Sequence, residues 1–242
     1  RWVDLFDMGL NALKKKDAMI VMRDPSLQRS FDAHLWSGRT RGAVQDELWV
    51  VDTNLAALKT DGVMQKNINY SLDATDPKGP VATVTLTYTN TNRLITWRYT
   101  RYRDYVRIFT PEGSELISSE GAMAKDLSQS GGRLIPGQVD IMKDLGKTVF
   151  GAFWSIEPGQ TRTLSFRYRL PSRVAQPLLN EGKYELLLQK QPGTKHRLTL
   201  DLRLGKKLVA AMPPEASQEF GDDRYRLTTD LEADQIFQAK IK

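Results

Sequence analysis

Polar residues of the kinds that bind ligands are concentrated between residues 52 and 61. Asp52, Asn54, Lys59 and Asp61 follow directly after a predicted strand, where loops often carry binding groups. Two carboxylates together with an amide and an ammonium group could hold a cation or a sugar hydroxyl. The favoured interpretation is structural, because ionisable clusters often only stabilise a fold. In it, Asp52 or Asn54 caps a short turn and Lys59 pairs with Asp61 in solvent.

Arginines alternate with aromatic residues between Trp97 and Arg107. Guanidinium groups grip phosphate or carboxylate in a forked geometry, and aromatic faces stack on bases or sugars. The candidates for a polyanion site are Arg98, Arg101, Arg103 and Arg107. The favoured alternative is an exposed sheet face with cation–π pairs, each worth roughly 0.5–1 kcal/mol when exposed.

Other catalytic chemistry has little support in the sequence. The chain has no cysteine, which excludes disulfides, thiolate metal sites and cysteine nucleophiles. Its two histidines, His34 and His196, do not stand at metal-ligand spacing from each other. No Gly-x-Ser-x-Gly elbow and no phosphate-binding loop occurs. The sequence therefore predicts no catalytic residue, no metal site and no cofactor, and the chain is interpreted as a non-enzyme.

The clearest sequence signal for the secondary-structure elements of this chain lies between residues 146 and 171. Glu157-Pro158-Gly159-Gln160 has the composition of a tight turn, since proline presets φ and glycine accepts positive φ. Beyond it, Leu164, Phe166 and Tyr168 alternate with polar residues. A period of two is typical of a strand with one buried face. We therefore predict a β-hairpin around this turn.

The pattern along the chain changes near residue 63. Residues 1–62 alternate helical stripes with short apolar runs at 18–22 and 47–52, which predicts the C-terminal part of an α/β domain. Residues 63–242 read as many short strands separated by turn residues, with a long polar loop at 121–146. The predicted fold is mainly β, α+β overall, and consists of an antiparallel immunoglobulin-like β-sandwich after a small α/β segment.

Composition and charge limit the class of protein. The 242 residues are 40% hydrophobic and 26% charged, which is typical of a globular chain. No apolar run is long enough to cross a bilayer. The first residue is Arg1 within a helical pattern, so we expect a fragment or a processed product. A net charge of +6 could attract polyanions, although such an excess more often keeps a protein soluble.

Four segments together carry a family resemblance. They are ELWVVDTNLAALKTD at 47–61, YRDYVRIFTPEGSELISSEG at 102–121, GKTVFGAFWSIEPGQTRTLSFRYRLP at 146–171 and YELLLQKQPGT at 184–194. They resemble an uncharacterised bacterial family of membrane-anchored, extracytoplasmic proteins. In that family an upstream α/β region is similar to the LytR–CpsA–Psr cell-wall ligases. The resemblance implies a location in the cell envelope and a membrane anchor outside this chain.

Three functional hypotheses follow. The first is a non-enzymatic extracytoplasmic domain that binds or presents to another envelope protein or an anionic wall polymer. The second is an accessory domain of a wall-polymer transferase whose active site lies upstream of these residues. The third is polyanion binding through the arginine-rich strand, with nucleic acid as the least favoured partner.

Overall fold

Strands dominate the computed structural model, which describes residues 2–43, 45–56 and 58–242. The helices are α1 (Trp2–Lys14), α2 (Pro25–Ala33) and α3 (Ser172–Glu181). The strands are β1 (Asp46–Val51), β2 (Met64–Asp73), β3 (Val81–Asn90), β4 (Tyr102–Pro111), β5 (Glu115–Glu120), β6 (Asp140–Asp144), β7 (Lys147–Ile156), β8 (Thr161–Arg169), β9 (Lys183–Gln189), β10 (His196–Arg203), β11 (Leu208–Met212), β12 (Arg224–Leu231) and β13 (Gln235–Ile241). A 3-10 turn, Lys59–Val63, precedes β2.

The strands form two sheets that share one hydrophobic core. The seven-stranded sheet has the order β11-β13-β9-β1-β4-β7-β6, and the six-stranded sheet has the order β12-β10-β2-β3-β8-β5. Alternate side chains are buried, as in β8, where Leu164, Phe166 and Tyr168 face inwards. Inner residues of both sheets meet in one cluster, where the rings of Tyr88 and Trp154 lie 4.9 Å apart. The prediction of a mainly β chain is confirmed.

Two pairings differ from the antiparallel arrangement that the sequence predicts. β1 lies parallel to β9, and β2 lies parallel to β10, so both sheets are mixed. Parallel neighbours need a long crossover, and local turn signals therefore do not reveal them. Because β1 lies between β9 and β4, the predicted division at residues 62 and 63 runs through the seven-stranded sheet.

The turn at residues 157–160 forms as predicted but does not close a hairpin. The backbone N–H of Gln160 donates to the carbonyl of Glu157 at 3.1 Å, and Gly159 has a φ of 75°. The strands on either side belong to different sheets, since β7 pairs with β4 and β6 whereas β8 pairs with β3 and β5. The turn therefore carries the chain from one sheet to the other.

Residues 121–146 are more ordered than the predicted long loop. β6 lies within this segment and pairs with β7. Met123 reaches the core, and Arg103 forms an ion pair with the buried carboxylate of Asp126. Gly137 passes so close to Met123 that a Cβ atom would lie 2.4 Å from its backbone, which explains the need for glycine.

Two local predictions need correction, and one helix is not predicted. The apolar run at 18–22 does not form a buried strand of the predicted α/β segment, because Met19 and Val21 are exposed and no sheet covers them among the described residues. Residues 98–101, which the interpretation as an exposed sheet face places on a strand, form a loop before β4. Periodicity also does not predict α3, a short helix with an internal proline that buries Val174 and Leu178.

Asp46, at the start of β1, links the two sheets. Its carboxylate accepts hydrogen bonds from Tyr70 of β2 at 2.6 Å, from Tyr184 of β9, and from the backbone N–H of Glu47 at 2.7 Å. Tyr70 belongs to the six-stranded sheet, whereas β1 and β9 belong to the other. Burial raises the pKa of Asp46 to about 6, and the three hydrogen bonds act in the opposite direction.

Replacing Asp46 by asparagine is expected to change the pH dependence of stability. The folded carboxyl binds its proton up to about pH 6, whereas an exposed one releases it near 3.8. The free energy of unfolding should therefore fall as the pH rises through this window, by on the order of 3 kcal/mol, and Asp46→Asn should lack this fall. Urea unfolding at several pH values measures it. Asp144→Asn, at an exposed carboxyl, is the control, and parallel curves for wild type and Asp46→Asn would contradict the prediction.

Candidate functional site

A buried polar cluster, here called the Lys66 cluster, lies between the two sheets near one end. Its members are Asp52, Asp61, Lys66, Tyr88, Tyr102 and His196. Lys66, Tyr88 and His196 are cross-strand neighbours on β2, β3 and β10. Asp52 follows β1 and Tyr102 begins β4, so the seven-stranded sheet supplies the facing groups.

The ammonium group of Lys66 is the centre of this cluster. It donates to Asp52 Oδ2 at 2.8 Å, to Tyr102 Oη at 2.8 Å and to Asp61 Oδ1 at 3.2 Å. It also lies 4.7 Å from the ring centroid of Tyr102 and 5.3 Å from that of Tyr88. An ammonium group has three donors, and all three have partners.

Asp52 and Lys66 stabilise each other's charge. Burial disfavours both charged forms, but their attraction dominates: it lowers the pKa of Asp52 and raises the pKa of Lys66. Tyr88 Oη donates to Asp52 Oδ1 at 3.0 Å, and His196 Nε2 lies 3.5 Å from Asp52 Oδ2. Both members of the pair are therefore ionised at neutral pH.

Asp104 of β4 lies beside this cluster, and both of its carboxyl oxygens are hydrogen-bonded. Its oxygens accept from the backbone N–H of Thr53 at 2.8 Å and from Trp154 Nε1 at 2.9 Å. Burial, followed by the charge of Asp52, raises the pKa of Asp104 well above its usual range. Burial and the neighbouring charge of Asp52 thus both favour the protonated form of Asp104.

The polar residues predicted at 52–61 are brought together only in part. Asp52 and Asp61 both bind Lys66, and Asn54 Nδ2 donates to Asp61 Oδ2 at 2.8 Å. Lys59 does not take the role predicted for it, since Asp61 bonds to Lys66, Tyr102 and Asn54 instead. The cation held by these carboxylates is therefore Lys66, a residue that loop composition does not identify.

The four candidate arginines do not form one exposed row. Arg101 pairs with Glu157 at 3.0 Å and Arg103 pairs with Asp126. The other two lie near aromatic rings, with the Arg98 guanidinium 5.4 Å from the Tyr99 centroid and that of Arg107 5.8 Å from Phe109. Two of the four are thus already engaged by carboxylates of this chain.

A pocket of about 450 Å³, here called the end pocket, adjoins the Lys66 cluster. It is lined by residues 64–67 of β2, residues 195–197 at the start of β10 and residues 230–232 at the end of β12. His196 lines it, although only 3% of this residue is exposed. Its Nε2 faces Tyr88 Oη at 3.2 Å, whereas its Nδ1 has no hydrogen-bond partner within the described part of the chain. The sequence shows only that His196 does not stand at metal-ligand spacing from His34, and it does not reveal this buried position at the start of β10.

Neither a metal-binding cluster nor a membrane-spanning helix is found among the described residues. Across 2–43, 45–56 and 58–242, no three His, Cys, Asp or Glu side chains are arranged to hold a metal ion. Within the same ranges, no helix combines the length and apolar character needed to traverse a bilayer.

Comparison with known proteins identifies no family. No protein-family model and no curated protein matches the chain. A Legionella pneumophila structure described as a candidate nutrient binding protein has a TM-score of 0.41 and 10% identity, covering 82% of this chain and 72% of that one. An M1 zinc metallopeptidase from Deinococcus radiodurans has a TM-score of 0.32 and 12% identity, covering 73% and 42%. Neither of these likenesses supports a statement about the function of this chain.

Replacing Lys66 by methionine is expected to destabilise the fold strongly. The change leaves Asp52 buried without its counter-ion, at a cost of about 3–5 kcal/mol. The double variant Asp52→Asn/Lys66→Met should lose less stability than the sum of the single variants, because neither charge is then unpaired. Chemical unfolding of all four proteins gives the coupling.

The control is Arg203→Met, which removes one partner of an ion pair that is 46% and 41% exposed. Its effect should be much smaller. Two results would contradict the importance assigned to the buried pair. One is a double variant whose loss of stability equals the sum of the losses in Asp52→Asn and Lys66→Met. The other is a loss in Arg203→Met as large as that in Lys66→Met.

Proposed function

We propose that this chain is a non-catalytic binding domain of a bacterial cell-envelope protein, and that it holds a hydroxyl-rich wall polymer on the outer face of the six-stranded sheet. The envelope location and the membrane anchor come from the family resemblance. The two-sheet architecture supports a β-sandwich, and its immunoglobulin-like classification is part of the proposal. The observation that supports this proposal most directly is a continuous groove on the outer face of the six-stranded sheet.

Three adjoining depressions make up this groove, here called the outer groove. The end pocket shares Asn67 and Arg197 with a depression of about 350 Å³, which also includes Thr85 and Thr87. That depression shares Asn69 and Thr199 with a third, of about 520 Å³. A groove that crosses β3, β2, β10 and β12 suits an extended ligand better than a compact one.

The chemistry of the outer groove favours hydroxyl groups. Amides and threonine hydroxyls both donate and accept hydrogen bonds, as sugar hydroxyls do. Neighbouring threonines on the same face already pair across strands, with Thr89 and Thr161 2.7 Å apart and Thr199 and Thr228 3.4 Å apart. Arg197 lines the groove and would favour a polymer with some negative charge, whereas Arg226, which also lines it, already pairs with Asp222 at 2.8 Å.

The buried groups support a binding role over a catalytic one. The ammonium of Lys66 has all its donors occupied, and Asp52 accepts from Tyr88 as well as from Lys66. Groups committed in this way hold the sheets together rather than reacting with a substrate. Arg101, in the loop before β4, and Arg103, in β4, are likewise engaged, which weighs against polyanion binding through this segment.

The purified chain is expected to co-sediment with isolated bacterial cell walls. The double variant Thr85→Val/Thr87→Val should reduce retention several-fold, because valine keeps the shape and strand preference of threonine but lacks its hydroxyl. The matched control is Thr40→Val/Thr53→Val, at exposed positions away from the outer groove. Walls stripped of their phosphate polymers separate binding to the glycan from binding to the anionic polymer. Equal retention of both double variants, or no retention of the wild type, would contradict the proposal.

A further inference from the structure

We propose that one end of the fold docks on an anionic lipid bilayer through the loop between β3 and β4, residues 91–101, here called the tip loop. Apolar side chains of this loop would enter the interfacial region of the bilayer, and its arginines would meet the lipid phosphates. The inference goes beyond the proposed function and does not depend on it, because other residues line the outer groove.

Large apolar side chains of the tip loop are held in solvent. Trp97 is 88% exposed, Leu94 is 72% exposed and Ile95 is 58% exposed. Leu55 and Leu58, in the loop after β1, are exposed as well. A single exposed apolar residue is ordinary, but several at one place mark a surface that binds a partner.

Hydrogen bonds fix the tip loop in this position. The backbone N–H of Thr96 donates to the carbonyl of Tyr99 at 2.8 Å, and the backbone N–H of Tyr99 donates to Thr96 Oγ1 at 2.9 Å. The loop after β1 lies against the tip loop, since the backbone N–H of Lys59 donates to the carbonyl of Arg98 at 3.1 Å. The turn between Thr96 and Tyr99 is thus closed on itself, and it presents Trp97 outside the core.

Every charge that the tip loop carries is positive. The loop contains Arg93, Arg98 and Arg101 and no aspartate or glutamate. Arg101 pairs with Glu157 at 3.0 Å. Arg93 and Arg98, together with the adjacent Lys59, form no ion pair within the described part of the chain. Anionic headgroups supply the missing counter-charge, and long cationic side chains can reach them while their apolar neighbours are buried.

A bilayer surface fits this combination better than a soluble polyanion does. A polyanion would pair with the arginines but would leave the apolar side chains in water. Tryptophan is enriched where membranes meet water, because its ring is apolar and its N–H can remain hydrogen-bonded. The carboxylates beside the tip loop, Asp61 and Glu157, are already bonded to cations of this chain, so they oppose the approach to anionic headgroups only weakly.

Sedimentation with lipid vesicles tests the role of the apolar side chains. We expect the wild-type chain to bind vesicles of phosphatidylcholine mixed with phosphatidylglycerol about tenfold more tightly than vesicles of phosphatidylcholine alone. Trp97→Ser should weaken binding to the mixed vesicles about tenfold. Trp2→Ser is the matched control, because Trp2 is 85% exposed on α1, and this variant should bind as the wild type does.

The double variant Arg93→Gln/Arg98→Gln tests the role of charge. It should weaken binding to the mixed vesicles about tenfold and change binding to neutral vesicles little. Lys78→Gln/Lys206→Gln removes the same charge from exposed turns at the opposite end of the six-stranded sheet and should have a small effect. Equal losses in the two double variants would overturn the inference, since net charge alone would then explain binding. All variants change exposed residues, so their melting temperatures should match that of the wild type.

Quenching of tryptophan fluorescence by brominated lipid tests insertion. The chain has five tryptophans, and the difference between the wild type and Trp97→Phe isolates the signal of Trp97. We expect the mixed vesicles with brominated acyl chains to quench the wild type and to quench Trp97→Phe much less. Equal quenching of the two proteins would show that Trp97 does not enter the bilayer and would refute the docking mode.

The outcomes also separate this surface from the proposed function. Trp97→Ser should keep its retention on cell walls, whereas Thr85→Val/Thr87→Val should keep its binding to vesicles. Failure of the wild type to bind vesicles, or equal binding to neutral and anionic vesicles, would overturn the lipid surface and leave the polymer function standing. Loss of wall retention in Trp97→Ser, without vesicle binding by the wild type, would instead assign the tip loop to the polymer and refute the inference.

Discussion

The buried ion pair between Asp52 and Lys66 is the interaction on which the arrangement of the two sheets depends. Removing two charges from water is costly, and the cost is offset only when geometry is good and every donor has a partner. Here that condition requires β1, β2 and β4 to be set correctly against one another. A shift of β2 by one residue would turn Lys66 to the outer face, so the pair also selects the strand register.

The strand β1 has a comparable constraint at its other end. Asp46 stands at its first position and Asp52 just beyond its last, and each carboxyl accepts a hydrogen bond from a tyrosine of the six-stranded sheet. Tyr70 and Tyr88 thus hold the two ends of one central strand. A purely apolar interface would tolerate sliding more easily, because hydrophobic contacts are not directional. The polar groups therefore contribute orientation, and the surrounding core contributes most of the stability.

Alternation was sufficient to predict most strands, because each buries one face, as Ile68, Tyr70 and Leu72 illustrate. It could not predict which distant strands lie parallel, nor that the turn after Glu157 changes sheets, since both depend on the whole core. The candidate site could be predicted from the sequence only in part. Lys66 and His196 stand in phase with the buried residues of their strands, and a charged residue in such a position signals a buried partner. The composition of the loop at 52–61 instead indicated Lys59, and not Lys66, as the partner of the carboxylates.

His196 connects the buried cluster to the strand register of the six-stranded sheet. Its Nε2 lies 3.2 Å from Tyr88 Oη, and the residue stands level with Lys66, which is itself level with Tyr88. Because side chains alternate along a strand, the next residues face outwards, and Asn67, Thr87 and Arg197 line the outer groove. The register that the buried pair selects therefore also decides which side chains meet on the outer face. The interior and the outer groove are in this sense set by one strand alignment, in which the core supplies orientation and the face supplies contact area.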